Sequence, residues 1–333
     1  MNPESGNKPI ASILITAFNR KEYIISAVKS VLNQTLDHKL YEIIISKNFV
    51  DDDIDSFLKQ NNCITIFDSK EGIGIRLSGL ISAAKSDILI FLEDDDMFYK
   101  NKIEYIVKLF GNYNLLYINN SYVKIDKDGN LIPDKKERHK SMMINDRDQF
   151  SKKLLCLYEK KEYFGMSNVS IKKESFKPFI NYLKDVEVSP DLFFFLVMSL
   201  IDGNFLFLEE KLTMYRIHNS LSNIKGDLQQ FQKKRSFFWN SVMKDLLFYS
   251  HLFESKNSPK VVHLINSISF ESRVHIYLSS NSMSKKFNFN DIKESIKIFS
   301  KEKTIFYAKL CIIVVMSYFA PKISKRLYYY VLR

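Results

Sequence analysis

A fully apolar run that ends in four consecutive acids is the feature of this chain that most limits its fold. Residues Ile88–Leu92 carry no polar side chain, and Glu93–Asp96 follow directly. A short run of this kind is typical of a strand buried on both faces of a parallel sheet, and ligands of such sheets bind beyond the carboxyl ends of the strands. Four adjacent like charges repel one another, so the run indicates a site for a divalent cation. A solvated acidic turn is the alternative.

The first half of the chain alternates apolar runs with amphipathic segments, as βαβ units do. A helix is expected over residues 22–33, because its apolar residues recur at helical spacing. Strands are expected at residues 12–17, 41–46, 63–67 and 88–92. This order predicts an α/β fold in which helices flank a mostly parallel sheet.

The length of 333 residues exceeds the usual size of one domain, so two units are expected. We place the first at residues 1–222 and the second, a C-terminal α-helical extension, at residues 223–333. The chain has three cysteines, Cys63, Cys156 and Cys311, whose number and spacing suit neither a zinc motif nor a disulfide framework. They favour a reducing, cytoplasmic setting.

The net charge of +11 is spread along the chain, and no nucleic-acid-binding motif accompanies it. Nucleic acid is therefore not expected as a partner. The apolar run Leu310–Ala320 precedes the basic residues Lys322, Lys325 and Arg326, and it is much shorter than the roughly 20 residues that span a bilayer. The segment near residues 304–333 is expected to associate with the inner face of the cell membrane. A buried core helix is the alternative.

Further motifs surround the acidic run in a recognisable order. They are the strand and loop Ile13–Arg20, the glycine-containing segment Glu71–Ser78, the acidic helix start Ser189–Phe195 and the Tyr-Arg-x-His segment that ends at His218. Over roughly residues 10–222 this order resembles the family 2 glycosyltransferases, which are nucleotide-sugar enzymes of the GT-A fold. The chain departs from the family pattern at Lys47–Phe49, which separate the second strand from its acids, and at Pro190, which stands in place of a glutamate.

The resemblance implies a role for each motif. Asp95 and His218 would hold a manganese or magnesium ion, and Asp191 would be the catalytic base. The residues expected to bind the nucleotide-diphosphate sugar are Thr16, Ala17, Asn19, Arg20, Asn48, Gly74, Arg76, Glu93 and Asp94. Those expected on the acceptor side are Asp96, Gly165, Ser167 and Asn168.

The expected reaction is metal-dependent, inverting transfer of a sugar to a hydroxyl of a glycan or a lipid-linked acceptor. The two departures leave a second interpretation open, a catalytically idle, glycosyltransferase-like binding protein at the membrane. A nucleotidyltransferase is disfavoured, because no glycine-rich basic loop follows the first strand. Four features stay open at this point: the base and sugar of the donor, the acceptor, the choice between manganese and magnesium, and the oligomeric state.

Overall fold

The chain falls into two units. The first ends at Ile217 and the second begins at His218. A computed structural model describes residues 8–133, 140–218, 228–280 and 287–332. The boundary expected between residues 222 and 223 lies outside the described residues, so its position stays a prediction.

The first unit is built on one sheet, whose strands follow the order β3-β2-β1-β4-β9-β6-β10-β5, with β7 beside β6 and β8 beside β10. In chain order the described strands are β1 (Ala11–Ala17), β2 (Tyr41–Lys47), β3 (Ile64–Phe67), β4 (Ile88–Glu93), β5 (Met97–Phe98), β6 (Leu115–Ile125), β7 (Leu131–Ile132), β8 (Met142–Ile144), β9 (Val169–Lys172) and β10 (Asn204–Arg216).

The four strands β1 to β4 pair in parallel, as the alternating pattern predicts, and Ile13 of β1 lies between Ile43 of β2 and Ile90 of β4. Beyond β4 the sheet is mixed. Strand β9 runs antiparallel to both β4 and β6, and β10 is parallel to β6. The antiparallel direction of β9 brings the residues before it, including Ser167, to the carboxyl end of β4.

Helices cover the strands of the first unit. They are α1 (Ile24–Leu32), α2 (Asp52–Gln60), α3 (Ile73–Ala83), α4 (Lys102–Asn112), α5 (Arg147–Glu159), α6 (Lys173–Phe176), α7 (Ile180–Leu183) and α8 (Pro190–Val197). The expected helix over residues 22–33 is therefore confirmed as α1, whose Ile24, Val28 and Val31 are fully buried in the core that contains β1. This burial fixes the sheet, and with it the loops at the carboxyl ends of its strands.

The second unit is helical, as expected. It contains α9 (Leu228–Ser255), α10 (Pro259–Ser279), α11 (Phe289–Glu302), α12 (Ile305–Phe319) and α13 (Pro321–Leu332). The expected apolar segment lies in α12, and Pro321 begins a further helix instead of ending the structure, because proline is tolerated in the first turn. Among the described helices, none is both long and apolar enough to cross a membrane.

Candidate active site

The acidic run forms the turn that follows β4, and its backbone is tied to two neighbouring strands. The Asp94 N–H donates to the Thr16 carbonyl at the end of β1, at 3.2 Å. On the other side, the Arg216 N–H donates to Asp96 Oδ1 at 2.9 Å, and the Arg216 guanidinium donates to the Asp95 carbonyl at 2.7 Å. Asp94 and Asp96 are buried, whereas the Asp95 side chain keeps 16% of its surface exposed. Asp95 is therefore the aspartate of this turn that faces solvent most.

Arg20 provides the positive charge closest to this turn. Its Nε donates to Asp94 Oδ2 at 3.0 Å, its Nη2 pairs with Asp94 Oδ1, and its Nη1 lies 2.9 Å from Asp95 Oδ2. Burial works against the guanidinium charge, but the hydrogen bond and the charges of Asp94 and Asp95 outweigh it and raise the pKa of Arg20. The sequence predicts a nucleotide contact for Arg20, and in this structure its guanidinium binds the acids.

The acids around Arg20 also act on one another. Removal from water raises the pKa of Glu93 well above its ordinary value, and the charges of Asp95, Asp96 and Asp191 raise it further. Burial likewise raises the pKa of Asp96, with the charge of Asp95 as the next cause. The carboxylates of the run therefore oppose one another's ionisation, and Asp191, which is distant in sequence, lies close enough to Glu93 to contribute to this effect.

Asp191 occupies the first turn of α8, as the sequence predicts. Its Oδ2 accepts the Gly165 N–H at 2.9 Å, and its Oδ1 accepts the Leu192 N–H at 2.9 Å. Gly165 has a φ of +85°, a conformation that glycine adopts without strain. These two backbone donors fix the orientation of the carboxylate at the start of the helix.

The turn before β9 joins Asp191 to the acidic run. Ser167 accepts the Glu93 N–H at 3.0 Å through its hydroxyl, which also hydrogen-bonds to Asp96. Ser167 and Asn168 are each 1% exposed, and the Asn168 amide donates to the Phe164 carbonyl at 2.8 Å. Both side chains are thus used inside the protein. Their expected contact with an acceptor stays a prediction, and the structure gives them a positioning role.

A buried lysine supports the turn before β9 through a hydrogen bond. Lys102, at the start of α4, is fully buried, and its Nζ donates to the Ser167 carbonyl at 2.5 Å and to Thr213 Oγ1 at 2.9 Å. Its Nζ also lies 4.0 Å from the centre of the Phe98 ring. Burial holds the pKa of Lys102 well below its ordinary value. A lysine at a helix start is usually solvent-exposed, so the sequence carries no signal for this role.

The first two strands bring together two residues expected to bind the nucleotide. The Asn19 N–H donates to Asn48 Oδ1 at 2.8 Å, and the Asn48 amide donates to Asn19 Oδ1 at 2.7 Å. Asn19 has a φ of +55°, which asparagine tolerates better than most residues. Of the other two residues predicted in this loop, Thr16 supplies the carbonyl that holds Asp94, and Ala17 is buried in the core.

Arg76 is a buried arginine close enough to Asp94 to feel its charge. It stacks on the Phe18 ring at 4.0 Å and donates through Nη1 to the Lys70 carbonyl at 3.1 Å. Its buried Nε finds no hydrogen-bond partner among the described residues. Burial lowers the pKa of Arg76, and the charges of Asp68 and Asp94 oppose this effect. An arginine with an unused buried donor suits an anionic ligand such as a phosphate.

The residues around Asp95 fit a divalent cation in charge and in donor type, although they do not enclose one. Within the described part of the chain, no three His, Cys, Asp or Glu side chains form a group that could hold a metal ion. Carboxylate oxygens nevertheless suit magnesium or manganese, which often take further oxygens from a bound phosphate. His218, the expected second ligand, is the first residue of the second unit, and its role stays a prediction.

A family model described as glycosyl transferase family 2 matches residues 12–177. These residues belong to glycosyl transferase family 2. The family 2 domain so defined contains β1 to β4, the acidic run and the turn at Gly165, but Asp191 and His218 lie beyond the matched range. The resemblance drawn from the motifs is therefore confirmed.

Relatives by sequence share the family 2 domain. An uncharacterized glycosyltransferase of Rickettsia felis is 37% identical over 125 residues, which are 36% of this chain and 20% of that protein. The chain thus spans about a fifth of the length of this relative. A putative glycosyltransferase of Bacillus subtilis, EpsH, is 25% identical over 238 residues, which are 68% of this chain and 64% of that protein.

Solved structures resemble the chain in fold. Residues 1–349 of S. aureus TarS in complex with UDP give a TM-score of 0.53 at 12% identity, over 92% of this chain and 88% of that one. The complex of the same TarS residues with UDP-GlcNAc gives 0.53 at 10% identity, over 92% and 86%. At this identity the likeness shows the fold alone, and it confirms the expected α/β class.

Arg20 offers a test of how the family 2 domain tolerates its acidic run. Replacing Arg20 with glutamine leaves the buried Asp94 without its guanidinium, and unpaired buried charges are costly. We expect the free energy of unfolding at neutral pH to fall by about 2 kcal/mol. The double variant Arg20→Gln/Asp94→Asn is expected to recover most of this loss, because position 94 then carries no charge that needs a partner. Urea unfolding of the full chain measures both.

The matched control is Lys21→Gln, which removes an exposed pair with Asp51 and is expected to cost much less. Burial raises the pKa of Asp94 to about 6. A carboxyl group whose pKa is raised by folding destabilises the folded state at pH values above that pKa, and the penalty fades as the group takes up a proton. The loss of unfolding free energy in Arg20→Gln is therefore expected to shrink as the pH falls from about 7 toward 5. Equal losses in Arg20→Gln and Lys21→Gln at both pH values would contradict this account.

Proposed function

We propose that this protein is a metal-dependent, inverting glycosyltransferase that moves a sugar from a nucleotide-diphosphate sugar to a hydroxyl of a glycan or a lipid-linked acceptor. One observation carries the proposal. The partly exposed carboxylate of Asp95 and the oriented carboxylate of Asp191 belong to one electrostatic cluster at the carboxyl ends of β1 and β4, joined through the turn at Gly165. Leaving-group stabilisation and proton removal require charges in such an arrangement.

The donor is proposed to lie over the carboxyl ends of β1 and β2. The paired Asn19 and Asn48 present polar groups there for a base, and the unused Nε of Arg76 suits a phosphate oxygen. The TarS structures hold UDP and UDP-GlcNAc, which makes uridine-diphosphate sugars the first donors to test. We assign Gly74 a place beside the proposed donor site. Its close packing against α7 by itself explains why this residue is a glycine.

The divalent cation is proposed to bind Asp95, with His218 as the second ligand that the motif predicts. When bound, such an ion offsets the negative charge that builds on a leaving diphosphate. Hydrogen bonds from neighbouring residues hold Asp94 and Asp96, which flank Asp95, in place. Arg20 pairs with the same carboxylate, so we infer that a donor with its cation competes with Arg20 for Asp95.

Asp191 is proposed to remove the proton from the acceptor hydroxyl as that oxygen attacks the anomeric carbon. Its oxygens each accept one backbone N–H, so the carboxylate is oriented before the acceptor arrives. A single base on the side opposite the leaving group accounts for inversion without a protein nucleophile. Lys102 and Ser167 act as positioning residues in this scheme, because they hold the turn that carries Gly165.

We further propose that the protein acts in the cytoplasm at the inner face of the membrane. The cysteines of the described chain, Cys63, Cys156 and Cys311, are all free thiols, which suits a reducing compartment. The basic C-terminal helices suit an anionic leaflet. A lipid-linked acceptor would then be presented on the same surface.

The test is release of free nucleoside diphosphate from uridine- and guanosine-diphosphate sugars, with manganese or magnesium and candidate acceptors. We expect cation-dependent release from one donor class, and a fall of about 100-fold in Asp95→Asn, since a Lewis acid of this kind is worth several kcal/mol. Asp128→Asn, on an exposed turn, is the control. UDP binding measured by calorimetry separates the alternatives: binding without release from any donor would favour the idle binding protein over the enzyme.

A further inference from the structure

The last three helices of the second unit expose apolar side chains along regular stripes. On α12, Ile305, Ile312 and Phe319 are 76%, 59% and 76% exposed. They are spaced seven residues apart, or about two helical turns, so they lie on one side of the helix. The opposite side of α12 is already packed, with Tyr307 and Val314 buried. The helix therefore has two apolar faces, of which only one is used inside the protein.

The neighbouring helices add to the exposed apolar surface. On α11, Phe289 and Ile296 are exposed at a spacing of seven, and on α13, Ile323 and Leu327 are exposed at a spacing of four. Both spacings place each pair on one side of its helix. Monomeric proteins rarely expose so much apolar surface in consecutive elements without a use for it.

The charge of the same region is strongly positive. From Phe289 to the last residue the sequence has nine Lys or Arg and three Asp or Glu. The acids are engaged within the second unit: Glu294 with Arg273 at 2.6 Å, Glu302 with His263, and Asp291 in the capping box of α11.

The basic side chains stand among the exposed apolar ones. Lys297 follows Ile296, and both are exposed. On α13, Lys322 and Arg326 each precede an exposed apolar residue. Positive charge interleaved with apolar side chains is the pattern of helices that lie in the interfacial layer of a bilayer.

We propose that α11, α12 and α13 form a docking surface for an anionic lipid bilayer, on which the apolar stripes enter the interfacial layer and the lysines and arginines contact headgroup phosphates. A second copy of the chain is a poorer occupant, because two surfaces of the same positive charge repel one another. The surface lies outside the family 2 domain, and the inference rests on the proposed membrane location but not on the proposed transfer reaction.

The experiment is co-sedimentation of the full chain with vesicles of phosphatidylcholine alone or with phosphatidylglycerol added, at low and high salt. We expect sedimentation only with phosphatidylglycerol, weakened by salt. Ile312→Ser/Phe319→Ser removes apolar anchors, and Lys322→Glu/Arg326→Glu reverses charge. Each pair is expected to reduce vesicle affinity at least about tenfold, since every inserted side chain and every basic group contributes separately.

The matched controls make the same kinds of substitution at exposed positions of the first unit. Phe67→Ser/Leu131→Ser takes away two equally exposed apolar side chains, and Lys127→Glu/Lys177→Glu reverses two exposed lysines. Both controls should sediment like the unaltered chain. Since the charge variant alters exposed side chains alone, it tests the surface even if the serine pair impairs folding.

Three outcomes would overturn the proposal. They are no sedimentation with either vesicle, equal sedimentation of the variants and the unaltered chain, and a stable dimer in solution that the serine pair dissociates. The last result would assign the surface to a second copy of the chain. None of these outcomes bears on nucleoside diphosphate release, so failure of the membrane proposal and failure of the proposed transfer reaction are distinguishable.

Discussion

Replacing Asp191 with asparagine is expected to lower turnover by about 10³-fold while leaving donor affinity nearly unchanged. Asparagine keeps the size of the side chain and can still accept the Gly165 N–H through its oxygen, so the turn before β9 should hold its shape. It cannot take a proton from an acceptor hydroxyl. The loss therefore belongs to the chemical step rather than to binding.

The measurement is product formation with the donor that the nucleotide-release assay identifies, together with UDP affinity by calorimetry. Asp185→Asn is the matched control, because this exposed acid lies six residues earlier on the same segment. It should behave like the unaltered protein. If Asp191→Asn kept activity within a few-fold of normal, the base would have to be another of the carboxylates near Glu93, and the proposed mechanism would be wrong.

The second large effect is on folding. Gly74→Ala is expected to lower the free energy of unfolding by about 3 kcal/mol, because overpacking against backbone cannot be relieved by a side-chain rotation. A Cβ at this position would lie 1.7 Å from the Leu183 carbonyl oxygen and 2.9 Å from that of Val186. The Gly74 N–H also donates to the Val186 carbonyl at 3.0 Å. Helix α3 would have to move away from the segment that leads to Asp191.

The same helix provides the control. Gly79 lies inside α3, and a Cβ there would meet nothing within 4 Å. Gly79→Ala is expected to raise the free energy of unfolding by about 0.5 to 1 kcal/mol, since alanine loses less backbone entropy in a helix. Urea unfolding of both variants, with turnover, tests the pair. A Gly74→Ala variant as stable as Gly79→Ala would mean that α3 and α7 are not packed as described here.

The sequence predicts much of the frame that holds the site. The strands β1, β2 and β4 appear within a residue or two of the expected bounds, because mostly apolar runs in an α/β pattern have few alternatives to a buried parallel strand. The acidic run lies at the carboxyl end of β4 because it directly follows the apolar run in the sequence. Asp191 lies in the first turn of α8, whose start is marked by Pro190. These features depend on neighbouring residues, so they can be read from the chain.

Other parts of the site cannot be read in this way. The sequence gives no reason to expect an antiparallel β9 beside β4, yet this direction delivers Ser167 to the acidic run. It also offers no sign that Lys102 is buried, since lysine is rarely a core residue. It gives no sign that the Arg20 guanidinium pairs with Asp94 and Asp95.

The sequence by itself therefore determined the fold class, the family, the acidic run and the helical character of the C-terminal unit. The tertiary structure decided which groups compensate those acids and which residues orient Asp191. The reason is the sequence distance of the contacts involved: Arg20 meets Asp94 across 74 residues, and Lys102 meets Thr213 across 111. Local propensity does not specify such pairs, because they form only when the burial of the whole sheet brings distant segments together.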